Sequence, residues 1–199
     1  MTPERHDKLL TVLQKRQPDI TVLLENITDP HNISAVMRTC DAIGIPEIYV
    51  LNTLADAHKR WGFRSSSSAW KWVKVHQFSD PEACVAAIRA RYGRILTTHL
   101  GTDSVGLYEI DFREPLALVF GNERKGVTEK LRGLADGNFV IPQMGVIQSL
   151  NISVACAVTL YEALRQKTNA GHYDHPKLSP EAIDAQMEHW SINWPSPEV

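Results

Sequence analysis

Short, nearly continuous apolar runs alternate along this chain with segments of helical periodicity, and that alternation constrains the fold more than any other feature. Strand-length runs fall at Ile20 to Glu25, Ile48 to Leu51, Trp72 to Val75, Arg94 to Thr98, Leu116 to Phe120 and Phe139 to Ile141. Between them, Asn32 to Ile43 places Ile33, Val36, Met37, Cys40 and Ile43 at helical spacing, with Gly44 in position to cap the end. Pro81 to Tyr92 and Thr128 to Leu134 read as further helices, and Ser149 to Lys167 as a long one. Strands that are apolar on both faces must be covered on both faces, which is the pattern of a parallel sheet flanked by helices. The expected fold class is therefore α/β. An amphipathic helix over Pro3 to Gln17, stopped by Pro18, precedes the sheet. A linker-like stretch from Gly171 to Pro176 and a last helix from Pro180 to Trp190 follow it. The expected division is an N-terminal helical extension (1–19), one α/β domain (20–168) and a C-terminal appendage (169–199).

At 199 residues the chain suits one well-cored domain. Cys40, Cys84 and Cys156 lie far apart with no Cys-x-x-Cys pair, which fits reduced thiols better than a disulfide framework or a zinc site. No apolar run approaches the roughly 18 residues of a membrane span, and the first residues carry no apolar signal core. A cytoplasmic protein with no metal and no membrane partner is expected. The net charge of −2 argues against indiscriminate nucleic-acid binding, but charge is segregated. Between Ala57 and Ser79 stand Lys59, Arg60, Arg64, Lys71 and Lys74 without an acid. Trp61, Phe63, Trp70 and Trp72 interleave with them, a composition suited to phosphates and unstacked bases. The competing reading makes Trp70 and Trp72 strand core. Ser65 to Ser68 reads as a mobile loop.

Three segments concentrate polar residues where this scaffold would turn. The first, Asn32-Ile-Ser-Ala-Val-Met-Arg38-Thr39, follows a strand through Asp29-Pro30-His31. At about 100° per residue, Arg38 lies about 600° beyond Asn32, nearly two turns along on an adjacent face. The plainer alternative is an Asn32 N-cap and a solvated Arg38. The second segment, Phe120-Gly121-Asn122-Glu123-Arg124-Lys125-Gly126-Val127-Thr128, is a glycine-bounded loop between a strand and a helix. Such a loop brings backbone N–H groups to the carboxyl edge of a parallel sheet. Val127 stands where a phosphate-binding loop requires lysine, so ATP hydrolysis is not supported. An ordinary strand-to-helix turn explains this loop equally well. In the third, Ile141-Pro142-Gln-Met144-Gly-Val-Ile-Gln148-Ser149-Leu150-Asn151, Ser149 reads as the helix N-cap and Asn151 as a mediocre first-turn residue. A strand–turn–helix with a capping serine is the alternative there.

Taken in order, Asn32/Arg38, Gly121/Glu123/Gly126 and Ile141-Pro142/Ser149-Leu150-Asn151 resemble the three signature motifs of the SpoU branch of the SPOUT methyltransferases. Arg16-Gln17-Pro18-Asp19-Ile20-Thr21-Val22, Pro30-His31-Asn32, Arg38-Thr39-Cys40-Asp41-Ala42 and Asn169-Ala170-Gly171 are similar to that branch's tRNA guanosine-18 2′-O-methyltransferases. The likeness covers most of Gln14 to Tyr173. It implies a Rossmann-like N-terminal half followed by a deep trefoil knot, a homodimer, and S-adenosyl-L-methionine as cofactor. The implied reaction is methyl transfer to a tRNA ribose 2′-hydroxyl, at guanosine 18 first. The alternatives are another tRNA or rRNA nucleotide, or a non-catalytic RNA-binding protein of the same fold. The cofactor would contact Thr98, Leu100, Gly121, Ile141, Met144 and Leu150, largely through backbone groups. Arg38, Asn32, Glu123, Ser149 and Asn151 would form the catalytic set. A guanidinium is effectively never deprotonated in proteins, so Arg38 is expected to act by stabilising developing alkoxide and fixing a phosphate. RNA would be gripped by Arg5, Lys8, Arg16, His31, Lys59, Arg60, Arg64, Arg165 and Lys167. The His172-x-x-His175 pair is expected to face solvent.

Overall fold

The structure is a computed structural model and describes residues 1–54 and 68–192. Among the described residues, seven strands form one sheet in the order β3-β2-β1-β6-β4-β7-β5, and every pairing between them is parallel. They are β1 (Ile20–Glu25), β2 (Glu47–Leu51), β3 (Lys74–Phe78), β4 (Arg94–Thr98), β5 (Val105–Gly106), β6 (Leu116–Phe120) and β7 (Gly137–Val140). The helices are α1 (Pro3–Gln14), α2 (Pro30–Ala42), α3 (Pro81–Arg89), α4 (Glu129–Leu134), α5 (Ile152–Asn169) and α6 (Pro180–Ser191).

Side chains of period two explain the two covered faces. Val22, Leu24, Ile48, Val50, Leu118 and Phe120 point into one core with α2 and α5. Their neighbours Leu23, Tyr49, Leu51, Ala117 and Val119 point into the other, with α3 and α4. β1, β2 and β6 are buried at every position, so a one-residue slip would still bury apolar groups but would exchange the two helix layers. Each such aliphatic side chain contributes about 1.5–3 kcal/mol by leaving water.

Most element boundaries match the sequence reading, and the differences have local causes. α2 begins at Pro30 because the Asp29 carboxylate accepts from His31 N–H; Asn32 is a first-turn residue and not the cap. Gly44, at φ +87°, takes the left-handed conformation just past the helix as expected. α5 starts at Ile152 with Asn151 as its N-cap, so the expectation that Ser149 caps it is corrected. β3 lies two residues later than expected, since Ala69–Lys71 form a turn of 3-10 helix and leave Trp72 outside the strand. Trp72 instead packs edge-on against Trp190 at 5.1 Å between ring centres. There it joins Leu9 and Leu13 of α1 with Ile183 and Met187 of α6, so the two ends of the chain share one small apolar cluster. The short β5 and the turn Leu107–Glu109 were not anticipated.

Candidate active site

The sheet's connection order changes direction between β1 and β6, which are neighbours. In an open parallel sheet, that place and the carboxyl ends of its strands form the natural crevice. A cleft of about 560 Å³ lies at the carboxyl ends of β4, β6 and β7, lined by residues of the second and third sequence segments, and Asn32 of the first segment is hydrogen-bonded to two of its lining residues, Glu123 and Asn151. A larger cavity of about 780 Å³ sits between α6 and β3, near the starts of β2 and β3. None of the three segments' catalytic candidates lines it. Size is a poorer guide than convergent polar chemistry, and we place the site in the smaller cleft.

The loop after β6 is held by its own side chains. Asn122 N–H donates to Gly126 O (3.1 Å) and Gly126 N–H to Asn122 O (2.8 Å). The Asn122 side chain accepts from the N–H groups of Arg124 (3.0 Å) and Lys125 (3.1 Å), and donates to Asn26 O (2.7 Å). At the loop's exit, Thr128 N–H and hydroxyl both donate to the buried Glu25 carboxylate, at 2.8 and 2.5 Å. Gly126 sits at φ +67°, and a Cβ on Gly121 would lie 2.2 Å from Gly126 C and Val127 N. Glycine at 121 is therefore a requirement of close backbone approach.

A directed chain of hydrogen bonds then joins the three segments. Glu123 Oε2 accepts from Thr28 hydroxyl (2.9 Å) and N–H (3.3 Å), and Oε1 accepts from Asn32 Nδ2 (2.9 Å). Asn151 Nδ2 donates to Asn32 Oδ1 (3.3 Å), while Asn151 Oδ1 accepts from Ser153 N–H (2.8 Å) and hydroxyl (2.6 Å). Burial raises the pKa of the Glu123 carboxyl, but its own backbone N–H, Asn32 and Thr28 outweigh burial and hold it below the usual range. Glu123 is thus a fixed acceptor and a weak base. Thr28 was missed by sequence reasoning, because a threonine four residues before Asn32 carries no pattern of its own.

Of the expected cofactor residues, Thr98, Leu100, Gly121, Ile141 and Leu150 line the cleft. Met144 does not; it stands out at 95% exposure. Ser149, with Asn151 and Glu123, also lines it. Phe120, Phe139 and Ile152 supply buried apolar surface, while Leu100 and Leu150 are exposed at 69% and 38%. These apolar walls and backbone-rich loops fit an adenosyl group better than a triphosphate. His99 was not anticipated: it lines the cleft and accepts from Arg132 Nη1 at 2.6 Å. Arg38 is exposed on α2, does not line the cleft of its own chain, and makes no ion pair with any described residue.

A family model described as the SpoU rRNA methylase family matches residues 19–161. The chain belongs to the SpoU family. It is 40% identical over 189 residues to the tRNA (guanosine(18)-2′-O)-methyltransferase of Thermus thermophilus, covering 95% of this chain and 96% of that one. The crystal structure of the Aquifex aeolicus TrmH/SpoU tRNA modifying enzyme superposes with a TM-score of 0.87 at 36% identity, covering 94% of each chain. The SpoU methyltransferase AviRb of Streptomyces viridochromogenes, solved in complex with the cofactor AdoMet, gives 0.69 at 27% identity over 78% of this chain and 62% of that one.

Two RNA-contact expectations for this SpoU-family chain are corrected. Arg16 is 1% exposed: its guanidinium donates to Ile45 O (3.2 Å), Trp72 O (3.1 Å) and Asp41 Oδ1 (2.9 Å), and lies 5.0 Å from the centre of the Trp190 ring. Lys167, also 1% exposed, donates to Asp19 Oδ2 at 2.9 Å. Both cations are buried and engaged within the fold, and neither offers an exposed charge. Arg5, Lys8, His31 and Arg165 are exposed, the last paired with Glu162 at 2.7 Å. Lys59, Arg60 and Arg64 lie outside the described residues, as do Trp61, Phe63 and Ser65 to Ser67. His172 is half-buried against Lys177, correcting its solvent assignment, whereas His175 is exposed.

Proposed function

We propose that this protein transfers a methyl group from S-adenosylmethionine to a ribose 2′-hydroxyl of tRNA, with guanosine 18 as the target. The observation that carries this reading is the hydrogen-bonded chain Thr28–Glu123–Asn32–Asn151, which joins all three segments at one apolar-walled cleft. The 40% identity to a guanosine-18 methyltransferase along 95% of the chain supports the choice of tRNA. S-adenosylmethionine, when bound, supplies an electrophilic methyl on a sulfonium. Thr98, Leu100, Gly121, Ile141 and Leu150 hold it in the cleft. The ribose oxygen is a poor acid, so the protein must orient it and stabilise negative charge as its proton leaves. Asn32 and Asn151, fixed in direction by Glu123 and Ser153, orient the ribose. Arg38 supplies the positive charge.

Arg38 does not line its own chain's cleft, so this reading includes a homodimer in which it serves the partner's cleft. Val154, Val158 and Tyr161 recur at helical spacing on α5 with 46%, 36% and 54% exposure. Val146 and Ile147, in the loop before it, are exposed at 98% and 72%. Apolar groups grouped in this way favour a protein partner. The deep knot implied by the family for the C-terminal half, and a cytoplasmic location where tRNA resides, belong to the same proposal.

Mass mapping of 2′-O-methyl groups on tRNA treated with protein and cofactor tests the substrate; a mark elsewhere than guanosine 18, or none, overturns it. Mixing Arg38→Ala with Glu123→Gln chains tests the assembly. If Arg38 acts across the dimer, each mixed dimer holds one intact site and activity returns. If it acts within its own chain, both sites stay defective.

A further inference from the structure

The loop between β6 and α4 turns its acid and its cations to different tasks. Both Glu123 oxygens are consumed by Thr28 and Asn32, which are neutral donors. Arg124 and Lys125, next in sequence, are exposed and line the same cleft. Neither makes an ion pair with any described residue. Several other exposed cations are spent: Arg89 on Asp136, Arg91 on Glu47, Arg113 on Asp111, Lys130 on Glu82 and Arg165 on Glu162. Two adjacent unneutralised cations beside a reaction cleft stand out in a chain of net charge −2.

These two are also preorganised. Their N–H groups are tied to the Asn122 side chain, and the loop is anchored to Asn26 at its entry and to Glu25 at its exit. The backbone carrying them is therefore ordered before any ligand arrives, which removes much of the entropic cost of gripping one. We propose that Arg124 and Lys125 bind the phosphodiester groups flanking the nucleotide whose ribose enters the cleft, and so set which ribose reaches Asn32 and Asn151. Arg offers a planar fork and Lys a point charge, both suited to phosphate oxygens. The inference rests on the RNA methyltransferase reading, and adds two residues that the motif comparison had left without a role.

The test is the double variant Arg124→Gln/Lys125→Gln beside the charge-preserving swap Arg124→Lys/Lys125→Arg. Binding and KM for unmodified tRNA are measured from 50 to 300 mM salt, with S-adenosylmethionine affinity measured calorimetrically alongside. Losing two phosphate contacts should raise KM about 10- to 50-fold at moderate salt and reduce the slope of log K against log salt by about 1.5. The swap should keep both values close to the parent's, and cofactor affinity should hold in all variants. An unchanged salt slope overturns the proposal even if KM rises, because a merely disturbed loop would not alter counterion release. Loss of cofactor affinity in step with KM overturns it too. Should the parent protein transfer no methyl to tRNA, the functional reading fails, while the salt slope of tRNA binding still decides the role of the two cations.

Discussion

Replacing Glu123 by glutamine keeps the shape and removes one property, acceptance at both oxygens. In the parent, Oε2 faces the Thr28 N–H and hydroxyl, and Oε1 faces Asn32 Nδ2. The glutamine amide must turn its NH2 toward one of these partners. Facing Thr28, it meets a backbone N–H that cannot invert. Facing Asn32, it forces that amide to flip, and the flipped Nδ2 meets Asn151 Nδ2. Asn151 cannot follow, because its Oδ1 caps α5 through Ser153 N–H. Either choice removes the charge assistance of the carboxylate and leaves one donor–donor contact in the chain. Such bonds are worth about 1.5–3 kcal/mol when buried; Glu123 is partly exposed, so we take about 1–2 kcal/mol. That is roughly 5- to 30-fold in the methyl-transfer rate. Single-turnover transfer to tRNA at saturating cofactor should show this loss, with calorimetric cofactor affinity close to the parent's and the melting temperature lowered by only a few degrees. A Glu123→Gln variant with the parental rate would refute the argument, since the polarity of the chain would then be irrelevant.

Gly121→Ala places a methyl 2.2 Å from the backbone of Gly126 and Val127, so the loop must open; about 1–3 kcal/mol of stability and most cofactor affinity should go, read by melting and calorimetry. Arg16→Ala should lower stability in urea by about 3 kcal/mol, the low end for a broken buried pair because Asp41 is partly solvated; loss of tRNA affinity in the folded variant would reinstate Arg16 as an RNA contact. Burial raises the Asp19 carboxyl, but hydrogen bonds from Lys177 and Lys167 outweigh it and hold it below its ordinary value. Its folded pKa is therefore under the unfolded value of about 3.9, so its contribution is complete well above that pH and vanishes as pH falls through the folded value. Urea midpoints should then fall less between pH 7 and pH 3 in Asp19→Asn than in the parent, and equal falls would contradict this.

The sheet was legible because its strands carry no competing signal: Ile20 to Glu25 and Leu116 to Phe120 are apolar at nearly every position and found their places to the residue. The cap of α5 was misread because serine and asparagine are equally good N-caps. What chose Asn151 over Ser149 is contact with Asn32, 119 residues away. Cation assignments failed for a related reason. Arg16 meets its carboxylate 25 residues later and Lys167 meets its own 148 residues earlier, so no local window could show them neutralised. Arg124 and Lys125 were passed over inside a motif read for its glycines, although the lack of an acid partner among the described residues is what makes them informative.

The same long-range logic explains why the site is built from loops of three different connections. An amide cannot fix its own direction, since its oxygen and nitrogen are sterically alike. Asn32 becomes directional only because an acceptor-only carboxylate stands on one side of it and an amide pinned by a helix N-terminus on the other. The carboxylate comes from the loop after β6, the pinned amide from the start of α5, and Asn32 itself from the first turn of α2, just after β1. A parallel sheet whose connections reverse between β1 and β6 brings those three chain segments to one edge. Arg38 lies on the same helix as Asn32, yet about two turns on and facing outward, so the geometry that orients the amides within one chain leaves the cation to be delivered elsewhere. On the proposed reading, orientation is a property of the fold and charge stabilisation a property of the assembly, and dissociating the dimer should abolish transfer while leaving the amide chain intact.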